Sequence, residues 1–166
     1  MANLTITSGV NLALADSGKK FVALSMYGKG KAFGAAAVLL NRQGESDAKE
    51  YVVLHLLSQS IECVLKGLLI LKDYDTYSGR LQKPLGHNLF KIATAASIAF
   101  GRDPIRGPLA DEIRALSNFY SKHRLRYGMV SDMFIDPRTI PHARVFRRLV
   151  AVMRLAEREL RRAHIT

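Results

Sequence analysis

From Tyr51 to Tyr74 the chain reads YVVLHLLSQSIECVLKGLLILKDY, with Leu54, Leu57, Ile61, Val64, Leu68 and Leu71 separated by alternating steps of three and four. That spacing is a helix stripe, because residues three and four apart share one face of an α-helix while strand positions alternate. Val53, Leu56, Leu65, Leu69 and Ile70 add apolar cover on the neighbouring faces. A helix that apolar must be touched on several sides, which predicts the central rod of a helical bundle. One polar line interrupts it: His55, Gln59, Glu62 and Lys66, spaced four, three and four. Such a line faces either water or a polar pocket shared with other helices.

The flanking segments follow the same period. The first stretch, to about Asp16, has no clear pattern and reads as a partly ordered lead-in. A helix is predicted from Ser17 to Asn41, with Asp16 or Ser17 capping its start and Phe21, Leu24, Ala32, Ala35 and Leu39 on one side. Within it, GKGKAFG carries Gly28, Gly30 and Gly34, but its spacing matches neither a phosphate loop nor a dinucleotide fingerprint, and no strand precedes it. Close helix packing or a kink accounts for those glycines. Asn41 to Lys49 is a turn with Ser46 or Asp47 as the next cap, and Asp73 to Leu85 is a loop of about a dozen residues. A third helix opens at Gly86-His87-Asn88-Leu89, with Leu89, Ile92, Ala95, Ala96 and Phe100 on one face. A fourth runs from about Leu109 to Lys122, with Leu109, Ile113, Leu116, Phe119 and Tyr120 inward. The last begins near Pro141, with Phe146, Leu149, Val152, Met153, Ala156 and Leu160 opposite a stripe of Arg144, Arg147, Arg148, Arg154, Arg158, Arg161 and Arg162. The expectation is a single all-α domain over residues 1–166, an up-and-down bundle of four to five long helices.

Composition narrows the chemistry. Lysine and arginine number 25 against 14 acids, a formal net charge of +11 over 166 residues, which favours polyanions or an acidic protein partner. The lone cysteine, Cys63, excludes an internal disulfide and reads as a small buried hydrophobe. The start lacks the pattern of a signal peptide, and Lys, Glu, Gln or Gly break the apolar runs, so a cytoplasmic protein without a membrane span is expected. No zinc, calcium, catalytic-serine or catalytic-cysteine spacing is present, and neither metal nor cofactor is expected.

Three pieces, in order, carry a family resemblance: the Glu62-x-x-x-Lys66 pair inside an apolar helix, the Gly86-His87-Asn88-Leu89 helix start after a long loop, and Tyr120 with Arg126-Tyr127 closing a later helix. Together they resemble the HEPN superfamily, the higher-eukaryote and prokaryote nucleotide-binding domains, over about Ala48 to Gly128. The resemblance implies an all-helical up-and-down bundle, often a homodimer, of the kind found in ribonuclease toxins, nucleotidyltransferase-associated modules and defence proteins. Ribonuclease members carry an Arg and a later His with four to six residues between them. Two formal matches occur, Arg80 with His87 and Arg158 with His164, neither in the helix-start context of that motif.

The candidate site therefore combines His87 with the cluster Tyr120, His123, Arg124, Arg126 and Tyr127, whose cations and aromatic faces suit phosphates and bases. Glu62 and Lys66 stand behind it, Glu62 placed to orient His87 or an arginine. His87, Arg124 and Arg126 are the candidates for catalysis, should there be any. The reading is a non-catalytic module binding nucleotide or RNA. The alternatives are a metal-independent ribonuclease and a helical assembly module docking an acidic protein.

Overall fold

The computed structural model describes residues 16–44, 47–102, 110–122, 125, 136 and 139–164, and every regular element among them is helical. The helices are α1 (Asp16–Asn41), α2 (Asp47–Lys72), the single turn α3 (Tyr74–Tyr77), α4 (Leu89–Phe100), α5 (Ala110–Ser121) and α6 (His142–Arg162), with a 3₁₀ turn at Ser78–Arg80. Five of them have 12 or more residues.

α2 is the rod predicted from the pattern: it packs against α1, α4, α5 and α6. Its stripe residues Leu54, Leu57, Ile61, Val64 and Leu68 are buried, and Val53, Leu65, Leu69 and Ile70 are buried beside them. By length and composition the segment Lys49–Lys72 could cross a membrane, but 78% of its most apolar window lies inside the bundle. Its apolar character is thus accounted for by packing. One core cluster joins α2 to Leu89, Ile92 and Ala96 of α4, to Ile113 and Leu116 of α5, and to Val145, Leu149, Val152 and Leu160 of α6.

The face that α1 turns inward differs from expectation. Phe21 and Leu39 are 70% and 63% exposed, and Ala32 and Ala35 are exposed too. The buried residues are Ala23, Tyr27, Gly30, Gly34 and Ala37. Helix proximity explains this. A Cβ on Gly30 would fall on the Val64 side chain and 3.1 Å from the Ser60 carbonyl oxygen, and one on Gly34 would lie 3.0 Å from Ser60 Oγ. From the other side, a Cβ on Gly67 would lie 3.0 Å from the Ala23 carbonyl. Two backbones this close admit no large side chain between them, so Phe21 and Leu39 lie outside the crossing, while Tyr27 is buried and Leu24 and Leu40 pack against the core. The Ser60 hydroxyl donates to the Gly30 carbonyl at 2.6 Å and clasps the crossing. Partners descend along α2 as they ascend along α1, so the two helices run antiparallel.

The interval from Asp73 to Leu85 is not a plain loop. The Asp73 carboxylate accepts from the Thr76 backbone N–H at 2.9 Å and caps α3, and the 3₁₀ turn follows directly. A side-chain oxygen three residues ahead of a free N–H supplies what a new helix start needs. α2 begins four residues before Tyr51, at Asp47. Asp16 lies within the first turn of α1, where its charge meets the positive end of the helix dipole, and Ser46 lies outside the described residues. α4 is capped by Asn88, whose side chain accepts from Lys91 N–H at 2.9 Å, and stops at Gly101 with φ 58°, the left-handed conformation glycine adopts without strain. On α6 the arginine stripe is mostly exposed, but Arg148 is half-buried, with its Nε buried and without a partner among the described residues.

Candidate functional site

The polar line on α2 faces inward. Glu62 and Lys66 are 6% and 8% exposed, and the Lys66 ammonium donates to Glu62 Oε1 at 2.7 Å. An exposed pair at this spacing would contribute only about 0.3–0.5 kcal/mol. Here the pair sits in the bundle, where an unpaired charge is far more expensive than in water.

Two further helices deliver partners to the same carboxylate. The turn ahead of α4 brings His87 Nδ1 to 3.1 Å from Glu62 Oε2 and 3.2 Å from Oε1. α5 brings Tyr120, whose hydroxyl also acts on Glu62. The His87 and Tyr120 rings meet edge to face, centroids 5.8 Å apart with planes at 86°. His55, about two turns before Glu62 on α2, packs against Tyr120 from another side at 5.7 Å. The two approaching segments are joined: Asn88 Oδ1 accepts from the Ser117 hydroxyl at 3.3 Å as well as from Lys91 N–H.

The electrostatics follow from these contacts. Burial pushes the Glu62 carboxyl up, but the hydrogen bond from Lys66, the Tyr120 hydroxyl, the Lys66 charge and the His87 hydrogen bond together outweigh it. Its pKa is lowered, and the group is an anion near neutrality. An ionised carboxylate only accepts, so His87 Nδ1 carries the proton shared with it. The imidazole is thereby held in one tautomer, with Nε2 directed away from Glu62. Its side chain is 45% exposed. A carboxylate fixing an imidazole from behind is an arrangement suited to proton transfer or to hydrogen bonding an anion at Nε2.

Of the residues singled out from sequence, Glu62, Lys66, His87 and Tyr120 are therefore brought together. Arg124, Arg126, Tyr127 and His123 lie outside the described residues, while Leu125 between them is buried in the core. The two Arg–His matches go to different surroundings. Arg80 lies over the Tyr77 ring at 5.5 Å, whereas His87 is held on Glu62. Arg158 pairs with Glu159 at 3.2 Å, and His164 follows the end of α6 with φ 55°. Cys63 is half-buried, and burial together with the Glu62 charge pushes its thiol up, away from the reactive thiolate. Among the described residues no three His, Cys, Asp or Glu side chains gather as a metal site would need.

Two features escaped the sequence reading. The Asn88–Ser117 link had half a signal, since Asn before a helical run is a strong cap. A second carboxylate–imidazole pair, Glu50 Oε2 with His142 Nδ1 at 2.7 Å, had none, because 92 positions separate its members. Burial lowers the His142 pKa, with Glu50 opposing and Lys49 assisting.

No family model, curated protein or solved structure matches the chain.

Proposed function

We propose that the chain is a HEPN-like module that binds RNA or a nucleotide through a surface centred on His87. The observation that carries this reading is the Glu62 carboxylate, held from within by Lys66 and His87 with the Tyr120 ring beside them, an arrangement in which the oriented imidazole is half-exposed. Arg124, Arg126 and Tyr127 follow Tyr120 by four to seven residues and complete the proposed surface with guanidinium groups for phosphates and a ring for a base. The net charge of +11 supplies long-range attraction to a polyanion. The reading places the protein in the cytoplasm as a non-catalytic homodimer, in keeping with the family resemblance.

Anisotropy of a labelled single-stranded RNA and of a labelled nucleotide, each at about 50 and about 200 mM salt, tests it. The two guanidinium contacts imply a log–log salt slope of roughly −1.4, a loss of about sevenfold between the two conditions. His87→Ala is expected to weaken binding about tenfold, while Arg147→Ala on the exposed face of α6 changes it less than about twofold. No binding at the lower salt removes the proposal. Equal losses from any surface arginine reduce it to nonspecific adhesion.

The carboxylate-held imidazole also favours a second reading, a metal-independent ribonuclease in which His87 Nε2 takes the proton from a ribose 2′-hydroxyl. Cleavage of bound RNA in chelator, abolished by His87→Ala, selects it over the binding module. RNA recovered intact excludes it. Co-purification of an acidic protein with no RNA would instead select the assembly module.

A further inference from the structure

On the outer side of the His87 turn, a groove of about 490 Å³ runs between the end of α3, the 80–85 turn and α4. Tyr77, Leu85, Phe90 and Ile98 supply its apolar surface, and Arg80 and Lys91 are its charged residues. None of the described residues lining it carries a carboxylate. Ile98 is 77% exposed there. Its aromatic walls are braced from their own faces, Tyr77 by Arg80 at 5.5 Å and Phe90 by Arg114 at 4.3 Å. The Thr94 hydroxyl donates to the Phe90 carbonyl at 2.9 Å, which leaves the Tyr77 phenol as the remaining neutral side-chain donor among the described lining residues.

We propose that this groove binds a small amphipathic anion, a carboxylate or phosphate monoester carried on an apolar body. The volume falls within the range of small-molecule sites, roughly 300–1,000 Å³. The apolar floor gains from covering Ile98, Phe90 and Leu85, and Arg80 and Lys91 are the lining cations that the acid would meet. The scarcity of neutral donors and acceptors leaves little to read the edge of a base, so the body is hydrocarbon or plain aromatic rather than a nucleobase. This site is separate from the His87 surface and does not depend on the RNA reading.

The experiment is a titration of the full chain, followed by amide chemical shifts at about 150 mM salt to screen diffuse attraction. The probes are 2-naphthoate, 2-naphthyl phosphate, the neutral 2-naphthol and adenosine monophosphate. Both naphthyl anions are expected to move the amides of residues 90–98 saturably, with 2-naphthol about tenfold weaker, and the tighter of the two anions identifies the acid. Arg80→Gln combined with Lys91→Gln should weaken both anions about tenfold and leave 2-naphthol within about twofold. Ile98→Glu, at an exposed position that the fold does not need, should weaken all three naphthyl probes, while Arg147→Gln leaves them unchanged. The proposal is overturned if 2-naphthol binds as tightly as 2-naphthoate, if adenosine monophosphate matches 2-naphthyl phosphate, or if saturable shifts are absent or fall outside the groove.

Discussion

Gly28 and Gly30 lie two positions apart in α1, and the same substitution at each should move stability in opposite directions. Replacing a mid-helix glycine by alanine stabilises a helix by about 0.8–1 kcal/mol, because the unfolded chain loses freedom that glycine alone enjoys. At Gly28, which is exposed, an added Cβ meets nothing within 4 Å, so the whole gain should appear. At Gly30 the methyl falls on the side chain of Val64, 3.1 Å from the Ser60 carbonyl oxygen and 3.2 Å from Val64 N. A backbone cannot swing aside as the end of a long side chain does. α1 must move off α2, and the 2.6 Å hydrogen bond from Ser60 to the Gly30 carbonyl lengthens with it. Overpacking of this sort costs about 1–3 kcal/mol, and two backbone atoms among the close contacts put this site in the upper half of that range, a net loss of about 1–2 kcal/mol after the propensity gain.

The assay is urea unfolding followed by circular dichroism, with a thermal melt alongside. For a chain of this size 1 kcal/mol corresponds to about 2–4 °C. Gly28→Ala should raise the midpoint by that amount and Gly30→Ala should lower it by about 2–8 °C, both with unchanged denaturant slope. Adding Val64→Ala to Gly30→Ala removes the colliding methyls, so the double variant should be more stable than the sum of its parts by about 1 kcal/mol. If Gly30→Ala stabilises the protein as Gly28→Ala does, the close crossing of α1 and α2 is refuted.

Three further outcomes follow from the cluster and its supports. Lys66→Met leaves the Glu62 carboxylate in the bundle without its main counter-charge and should destabilise by about 3–5 kcal/mol, much of it recovered in the Glu62→Gln/Lys66→Met double variant; urea midpoints of the three proteins check this. Asn88→Ala removes an N-cap acceptor and the Ser117 link, for a loss of about 1–2 kcal/mol in the same assay. Acidification should act in two stages. The His142 pKa lies below its ordinary 6.5, so its contribution is complete above that value and is lost as pH falls through the folded-state pKa. The Glu62 pKa lies below its ordinary 4.5, so its contribution persists above 4.5 and is lost at lower pH. Melts from pH 7 to 3 should show His142→Gln flattening the upper stage alone; an unchanged upper stage would remove His142 as its source.

The order of residues was enough to establish the set of helices and the rank among them. Leu54 to Leu71 repeats its apolar residues over five turns, a signal that survives any arrangement of neighbours, and it correctly marked α2 as the rod inside the bundle. Gly86-His87-Asn88-Leu89 announced a capped start because the cap is a local hydrogen bond. Which side of α1 turns inward was decided only in three dimensions. Periodicity counts large apolar side chains, and Phe21 and Leu39 drew it to the exposed side, whereas a close crossing buries glycine and alanine, which carry almost no hydrophobic signal. The meeting of Glu62, Lys66, His87 and Tyr120 was likewise tertiary: spacing placed two of them on one helix face, but a buried charge pair and a solvated one have the same spacing. Only the approach of two other segments, 25 and 58 positions along from Glu62, distinguishes them.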